Sequence, residues 1–182
     1  EDFDINISID MDLLEKYIHD NSSAEDALLH ELDRQTHLQV LNPRMISGHI
    51  QGKLLELLVK MFRPQHILEI GTFTGYSAQS FFDRSPHGHK IRLHVGSALE
   101  IAPQLGHQFD MVFIDGDKRE YPAYYNMLMD QGLVHSGSIL LADNILWYGK
   151  VVQPVAHNDH HTQALIEFNR MVTEDDRVES VI

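Results

Sequence analysis

Residues His66–Ser77 constrain this chain more than any other stretch, because they read as a strand, a glycine-bearing turn and the start of a helix in twelve residues. Ile67, Leu68 and Ile70 supply the apolar run of a buried parallel strand. Gly71 and Gly75 allow a sharp turn and let a ligand come close to the backbone. Glu69 interrupts the apolar run, and a carboxylate there is costly unless a cation or hydrogen-bond donors meet it. Two readings follow: an ordinary strand-to-helix turn with a stray acid, or a ligand loop. The spacing Gly71-x-x-x-Gly75 lacks the middle glycine of G-x-G-x-x-G, which disfavours a nicotinamide or flavin site.

The rest of the chain repeats the alternation. Strand-like runs recur at Lys90–Val95, Phe109–Ile114, Ser138–Ala142 and Val178–Ile182, with helical patterns at Glu120–Gln131 and Thr162–Val172 between them. This predicts an α/β fold with a doubly wound, mostly parallel sheet and helices on both faces, in one domain. Ahead of it, Asp12–His19 and Ser23–Thr36 read as two helices packed on the outside of that domain, the second opened by a capping box in Ser22-Ser23-Ala24-Glu25-Asp26. A third helix runs from His49 to Met61, after a Met45-Ile46-Ser47-Gly48 loop that either caps it or offers backbone groups to a ligand.

Composition removes whole classes of partner. No apolar run approaches the ~20 residues of a membrane span, and the acidic N-terminal residues are unlike a signal peptide. There is no cysteine, so thiolate metal sites are excluded, and a net charge of −13 argues against a nucleic-acid groove. A cytoplasmic, soluble, acidic domain is the expectation.

In doubly wound sheets, ligands sit beyond the carboxyl ends of the strands. Phe109–Ile114 ends in Asp115-Gly116-Asp117-Lys118, and Ser138–Ala142 ends in Asp143-Asn144. Asp115, Asp143 and Asn144 form an all-oxygen set suited to a hard cation such as Mg²⁺, or to Mn²⁺ or Ca²⁺. Singly, each is as readily a turn or cap residue. Lys118 is either a surface lysine of a charged loop or a base over that cation, where burial and a neighbouring cation would disfavour its ammonium form. His157, His160 and His161 could bind Zn²⁺ but read better as a solvated loop.

The loop Glu69-Ile70-Gly71-Thr72-Phe73-Thr74-Gly75-Tyr76-Ser77 resembles the S-adenosylmethionine loop of class I methyltransferases, which have a Rossmann-like fold. Together with Phe113-Ile114-Asp115-Gly116-Asp117-Lys118 and Ala142-Asp143-Asn144-Ile145-Leu146-Trp147, it resembles the cation-dependent O-methyltransferases of the catechol and caffeoyl-coenzyme A type, and in particular their small bacterial members. The resemblance implies that Asp115, Asp143 and Asn144 hold the cation, and that Lys118 with Asp115 carries the proton chemistry. It also implies that Ser47, Glu69, Gly71, Thr72, Tyr76, Ser77, Ala98 and Asp117 line the cofactor. The acceptor would be a vicinal dihydroxy aromatic, with Trp147 and Tyr148 as candidate walls of its pocket, and a homodimer is compatible with the family. A catalytically idle module on the same fold is the alternative. Three departures stand out. Ser97 occupies a position where family members often carry Asp, only Gln79–Gly88 separates Ala78 from the strand-like run at Lys90, and the sequence stops at Ile182, so the family's closing antiparallel hairpin is expected to lie beyond it. Ten residues are too few for the expected helix, ribose-binding strand and second helix, so a segment near Ala78-Gln79 is expected to be missing.

Overall fold

The computed structural model describes residues 11–39, 48–71 and 82–182. The chain divides into two units, Glu1–Arg63 and Pro64–Ile182. The first carries helices α1 (Met11–Asp20), α2 (Ala27–Gln39) and α3 (His49–Phe62). Helix α2 begins later than its sequence signal suggests, because Asp26, rather than the expected serine, accepts the Leu28 N–H at 2.8 Å. Glu25 leaves the capping position and pairs with His30 at 3.2 Å. Helix α3 ends where Arg63 enters the left-handed region (φ 50°), its N–H closing on the Val59 carbonyl.

The second unit is built on a three-stranded parallel sheet, β1 (Ile67–Ile70), β2 (Phe109–Ile114) and β3 (Val134–Ala142), in the order β1-β2-β3. The expected parallel α/β sheet is therefore present. Strand β2, central in this order, buries Phe109, Met111, Val112 and Ile114. Helices α4 (Ala98–Ile101), α5 (Tyr121–Asp130) and α6 (His160–Glu174) complete the unit. Tyr121, Leu128 and Leu165 are fully buried in one core with β2, each side chain contributing about 1.5–3 kcal/mol by burial. Phe168 of α6 ties the helices together, meeting the rings of Tyr121 and Tyr125 edge-on at 5.4 and 6.0 Å.

Two expected strands do not form. Residues 91–95 and 178–182 have no strand partner among the described residues. Val95 and Val181 are 82% and 95% exposed. An apolar run becomes a strand only where a neighbouring edge takes its N–H and C=O groups. Strand β3, conversely, begins four residues earlier than expected, at Val134. There the Ser138 hydroxyl bridges an irregular register by donating to the Phe109 carbonyl.

Register decides what the sheet presents. Ile70 pairs with Ile114 and Ile114 with Ala142, so the three strands end level. The ladder continues one step further, with the Asp115 N–H donating to the Ile70 carbonyl (2.8 Å) and the Asp143 N–H to the Ile114 carbonyl (3.0 Å).

Candidate functional site at the carboxyl rim

Because the strands end level, Gly71, Asp115 and Asp143 stand side by side on one rim. Gly71 is required here by contact as well as conformation. It has φ 119°, and a Cβ at this position would lie 2.1 Å from the Asp115 carbonyl oxygen. The glycine thus lets the β1 turn close against the end of β2.

Lys118 follows in a short 3₁₀ turn, Lys118–Glu120, opened by Asp117. This turn folds the lysine back over the rim rather than out to solvent, and Lys118 is only 7% exposed. Its amine donates to Asp115 Oδ1 at 2.7 Å and to the Tyr121 hydroxyl at 2.6 Å. The reading of Lys118 as a surface lysine is thereby replaced: the ammonium is buried, paired and hydrogen-bonded, as a buried charge must be. Tyr121 in turn lies within 3.0 Å of the carbonyl oxygens of both Ile114 and Asp143, which share its single proton. Burial, with Asp115 and Asp143 adding to it, pushes the Tyr121 phenol far above its ordinary range, so it remains a hydroxyl.

Asp143 and Asn144 form a tight turn. The Asn144 N–H donates to Asp143 Oδ1 at 2.7 Å, and Asn144 itself adopts φ 59°. Trp147 (φ 44°) and Tyr148 (φ 57°) continue this left-handed backbone. Such conformations in non-glycine residues gather at functional sites. The Trp147 ring stacks on His161 of α6 (centroids 6.0 Å apart, planes at 16°), while Tyr148 is 92% exposed.

Glu69 is exposed by surface area, yet crowding by the surrounding protein pushes its carboxyl above the ordinary range, with the charge of Asp115 adding to the effect. Asp117 is engaged differently. Arg119 grips it through backbone and guanidinium and holds its carboxyl down at about 2. Ala98 opens α4, and the preceding Ser97 makes no side-chain cap. Ser47, Thr72, Tyr76 and Ser77 lie outside the described residues.

The rim therefore assembles Asp115, Lys118, Asp143 and Asn144, with Glu69 and Gly71 on the adjoining strand end. Among the described residues no group of three or more His, Asp or Glu side chains is placed to hold a metal ion. The solvated-loop reading of 157–161 holds only for His157: His160 and His161 open helix α6, and His161 stacks on Trp147. Asp115, Asp143 and Asn144 are two carboxylates and one amide, an oxygen set fitting a hard cation that keeps several waters. Two further side chains hold the rim or the turn that follows it. The sequence reading missed Tyr121, which its i,i+3 spacing from Lys118 could have pointed to. Asn169, whose amide donates to the Ile145 carbonyl at 3.1 Å, lies between Phe168 and Arg170 with no sequence signal. No helix among the described residues is long and apolar enough to cross a membrane.

Comparison with known proteins gives the chain's family and fold relatives. The sequence model of the O-methyltransferase family matches residues 19–80 and 78–182, in two pieces that meet at 78–80. A catechol O-methyltransferase of Niastella koreensis is 30% identical over 162 residues, covering 72% of either chain. A caffeoyl-CoA O-methyltransferase of Petroselinum crispum is 29% identical, covering 74% of this chain and 70% of its own. Among solved structures, a Podospora anserina methyltransferase bound to S-adenosylhomocysteine superposes with a TM-score of 0.78 at 26% identity, covering 93% of this chain and 88% of its own. A Streptomyces achromogenes O-methyltransferase bound to S-adenosylmethionine gives 0.79 at 28%, with 90% and 85% covered.

Proposed function

Because the chain belongs to the O-methyltransferase family, we propose that it transfers the methyl group of S-adenosylmethionine to one hydroxyl of a small vicinal dihydroxy aromatic, with a divalent cation in the rim. The observation that carries this reading is the convergence of Asp115, Lys118 and Asp143 at level strand ends, with the lysine buried and hydrogen-bonded.

In this reading Asp115, Asp143 and Asn144 hold the cation, Mg²⁺ being the natural occupant of an oxygen set. Such an ion would lower the pKa of a hydroxyl bound to it. As the neutral amine, Lys118 would accept the acceptor's proton and become the ammonium that Asp115 pairs, while Tyr121 holds the amine in place. Glu69 and Gly71, with Ser47, Thr72, Tyr76, Ser77, Ala98 and Asp117, are assigned to the methyl donor. Trp147, backed by His161, forms one wall of the acceptor cleft. The chain's main contribution is to orient the acceptor oxygen, which bonds to the methyl carbon as the carbon–sulfur bond breaks.

The ribose-binding strand is assigned to a segment between Ala78 and Gln79. The two-piece family match meeting at 78–80 and the unpaired run at 91–95 both support that assignment. Purified native protein heavier than 20.9 kDa would be the sign of it.

Chelation predicts selectivity. With S-adenosylmethionine and Mg²⁺, catechol should be methylated at least a hundredfold faster than phenol, read as kcat/KM. Equal rates on the two would remove the vicinal-diol reading.

A further inference from the structure

Asn144 carries the one amide of the proposed donor set on a left-handed backbone (φ 59°). A conformation of that kind persists only where its surroundings over-determine it. Here the peptide carbonyls on both sides of it are held by side chains from two different helices. The Tyr121 hydroxyl, from the first residue of α5, reaches the Asp143 carbonyl at 3.0 Å. The Asn169 amide, from α6, donates to the Ile145 carbonyl at 3.1 Å. The two grips are mechanically linked, since the Tyr121 ring packs edge-on against Phe168, the residue before Asn169. Tyr121 is fully buried, so it touches neither solvent nor ligand.

Asn169 holds its place at a cost. Its Oδ1 is buried with no hydrogen-bond partner among the described residues. An apolar side chain would avoid that penalty, so the amide's donating end is what the position provides. Tyr121 has a second task. Its oxygen takes one Lys118 N–H while Asp115 takes another, which fixes the rotation of the amine and leaves one position for a further partner.

We propose that Tyr121 and Asn169 are positioning residues of this enzyme: they clamp the carbonyls flanking Asn144 and, through Tyr121, the amine of Lys118. Donor oxygens and base thereby meet the acceptor in one fixed geometry. The inference rests on the cation reading of the rim.

Tyr121→Phe and Asn169→Leu test it, each removing the polar group while keeping most of the volume. Mn²⁺ titration followed by electron paramagnetic resonance should show affinity weakened 10- to 100-fold in both variants, the scale on which outer partners of metal ligands act. The kcat for catechol should fall by a similar factor, while affinity for S-adenosylmethionine stays within twofold. The Trp147 amide, which donates to the Asn144 carbonyl, should exchange with deuterium at least tenfold faster. Mn²⁺ affinity and kcat within twofold of wild type would overturn the proposal. So would a parallel loss of cofactor affinity and Tm, which would show a role in folding alone. If the wild type itself binds no Mn²⁺, the cation reading fails separately. The Trp147 amide then decides: faster exchange in both variants supports the clamp, and unchanged exchange overturns it.

Discussion

Strand β2 carries an aspartate near each end, and the two do opposite things. Asp110, at the amino end, accepts the N–H groups of Gln65 and His66 at 2.7 and 2.8 Å and the His135 ring at 3.0 Å. It staples the entry of β1 to the start of β3 in a half-exposed position, where solvent still reaches the carboxylate and the pairing is weak. Asp115, just past the carboxyl end, meets an amine that is itself buried, on a rim shared with Asp143 and a left-handed turn. The same residue type is structural at one end of the strand and, in the proposed reading, chemical at the other. The difference lies in what surrounds it: backbone donors looking for an acceptor in the first case, a buried ammonium and a second carboxylate in the second.

Substitution should separate the two ends. The largest effect is expected from Lys118→Met, which should lower kcat by about 10²–10⁴-fold, the usual worth of a positioned base, with cofactor affinity little changed. A loss below tenfold would reduce Lys118 to a structural ion pair and erase the contrast. Next comes Gly71→Ala. Its Cβ would fall 2.1 Å from a backbone oxygen that has nowhere to go. Urea denaturation should show a loss of about 2–4 kcal/mol, from overpacking plus an unfavourable φ. An unchanged midpoint would mean that the rim is not closed by that contact.

The smallest effect belongs to Asp110→Asn, and its pH dependence carries the information. Hydrogen bonds from the His66 and Gln65 backbones and from His135 hold the Asp110 carboxyl below its ordinary range. Its contribution is therefore present above the unfolded carboxylate range and lost as pH falls through the lowered value. The Ser136 carbonyl and then Asp110 raise His135. That contribution is complete below the unfolded histidine value and lost as pH rises through the raised one. Both are in force between roughly pH 4 and 6.5. The Tm penalty of Asp110→Asn should thus be greater at pH 5.5 than at pH 8.5. An equal penalty would mean that the histidine adds nothing to the staple.

The sequence carried the rim in outline because strand ends announce themselves: Phe109–Ile114 forms as read, and the residues after it and after Ala142 lie where a level parallel sheet puts them. It did not carry the contacts made by folding back. Whether Lys118 points into the rim or into solvent depends on a 3₁₀ turn and on a tyrosine hydroxyl three residues on, neither visible in composition. Asn169 was unreadable because its partner is a backbone carbonyl 24 residues away. The expected strands at Lys90–Val95 and Val178–Ile182 failed for a related reason, since their apolar residues describe a face, whereas a strand also needs an edge. Helix α2 shows the same limit on a smaller scale: Ser22-Ser23 looked like the cap, and Asp26 took the position.

The rim's role as a cation and base site is tested most directly by methyl transfer from S-adenosylmethionine to catechol, measured after EDTA treatment and again after Mg²⁺ is restored, on wild type and Asp143→Ala. The account predicts that EDTA abolishes turnover, that Mg²⁺ returns it to the wild type, and that Asp143→Ala stays inactive in both conditions. Turnover indifferent to EDTA, or an Asp143→Ala enzyme that Mg²⁺ brings back to the wild-type rate, would contradict it.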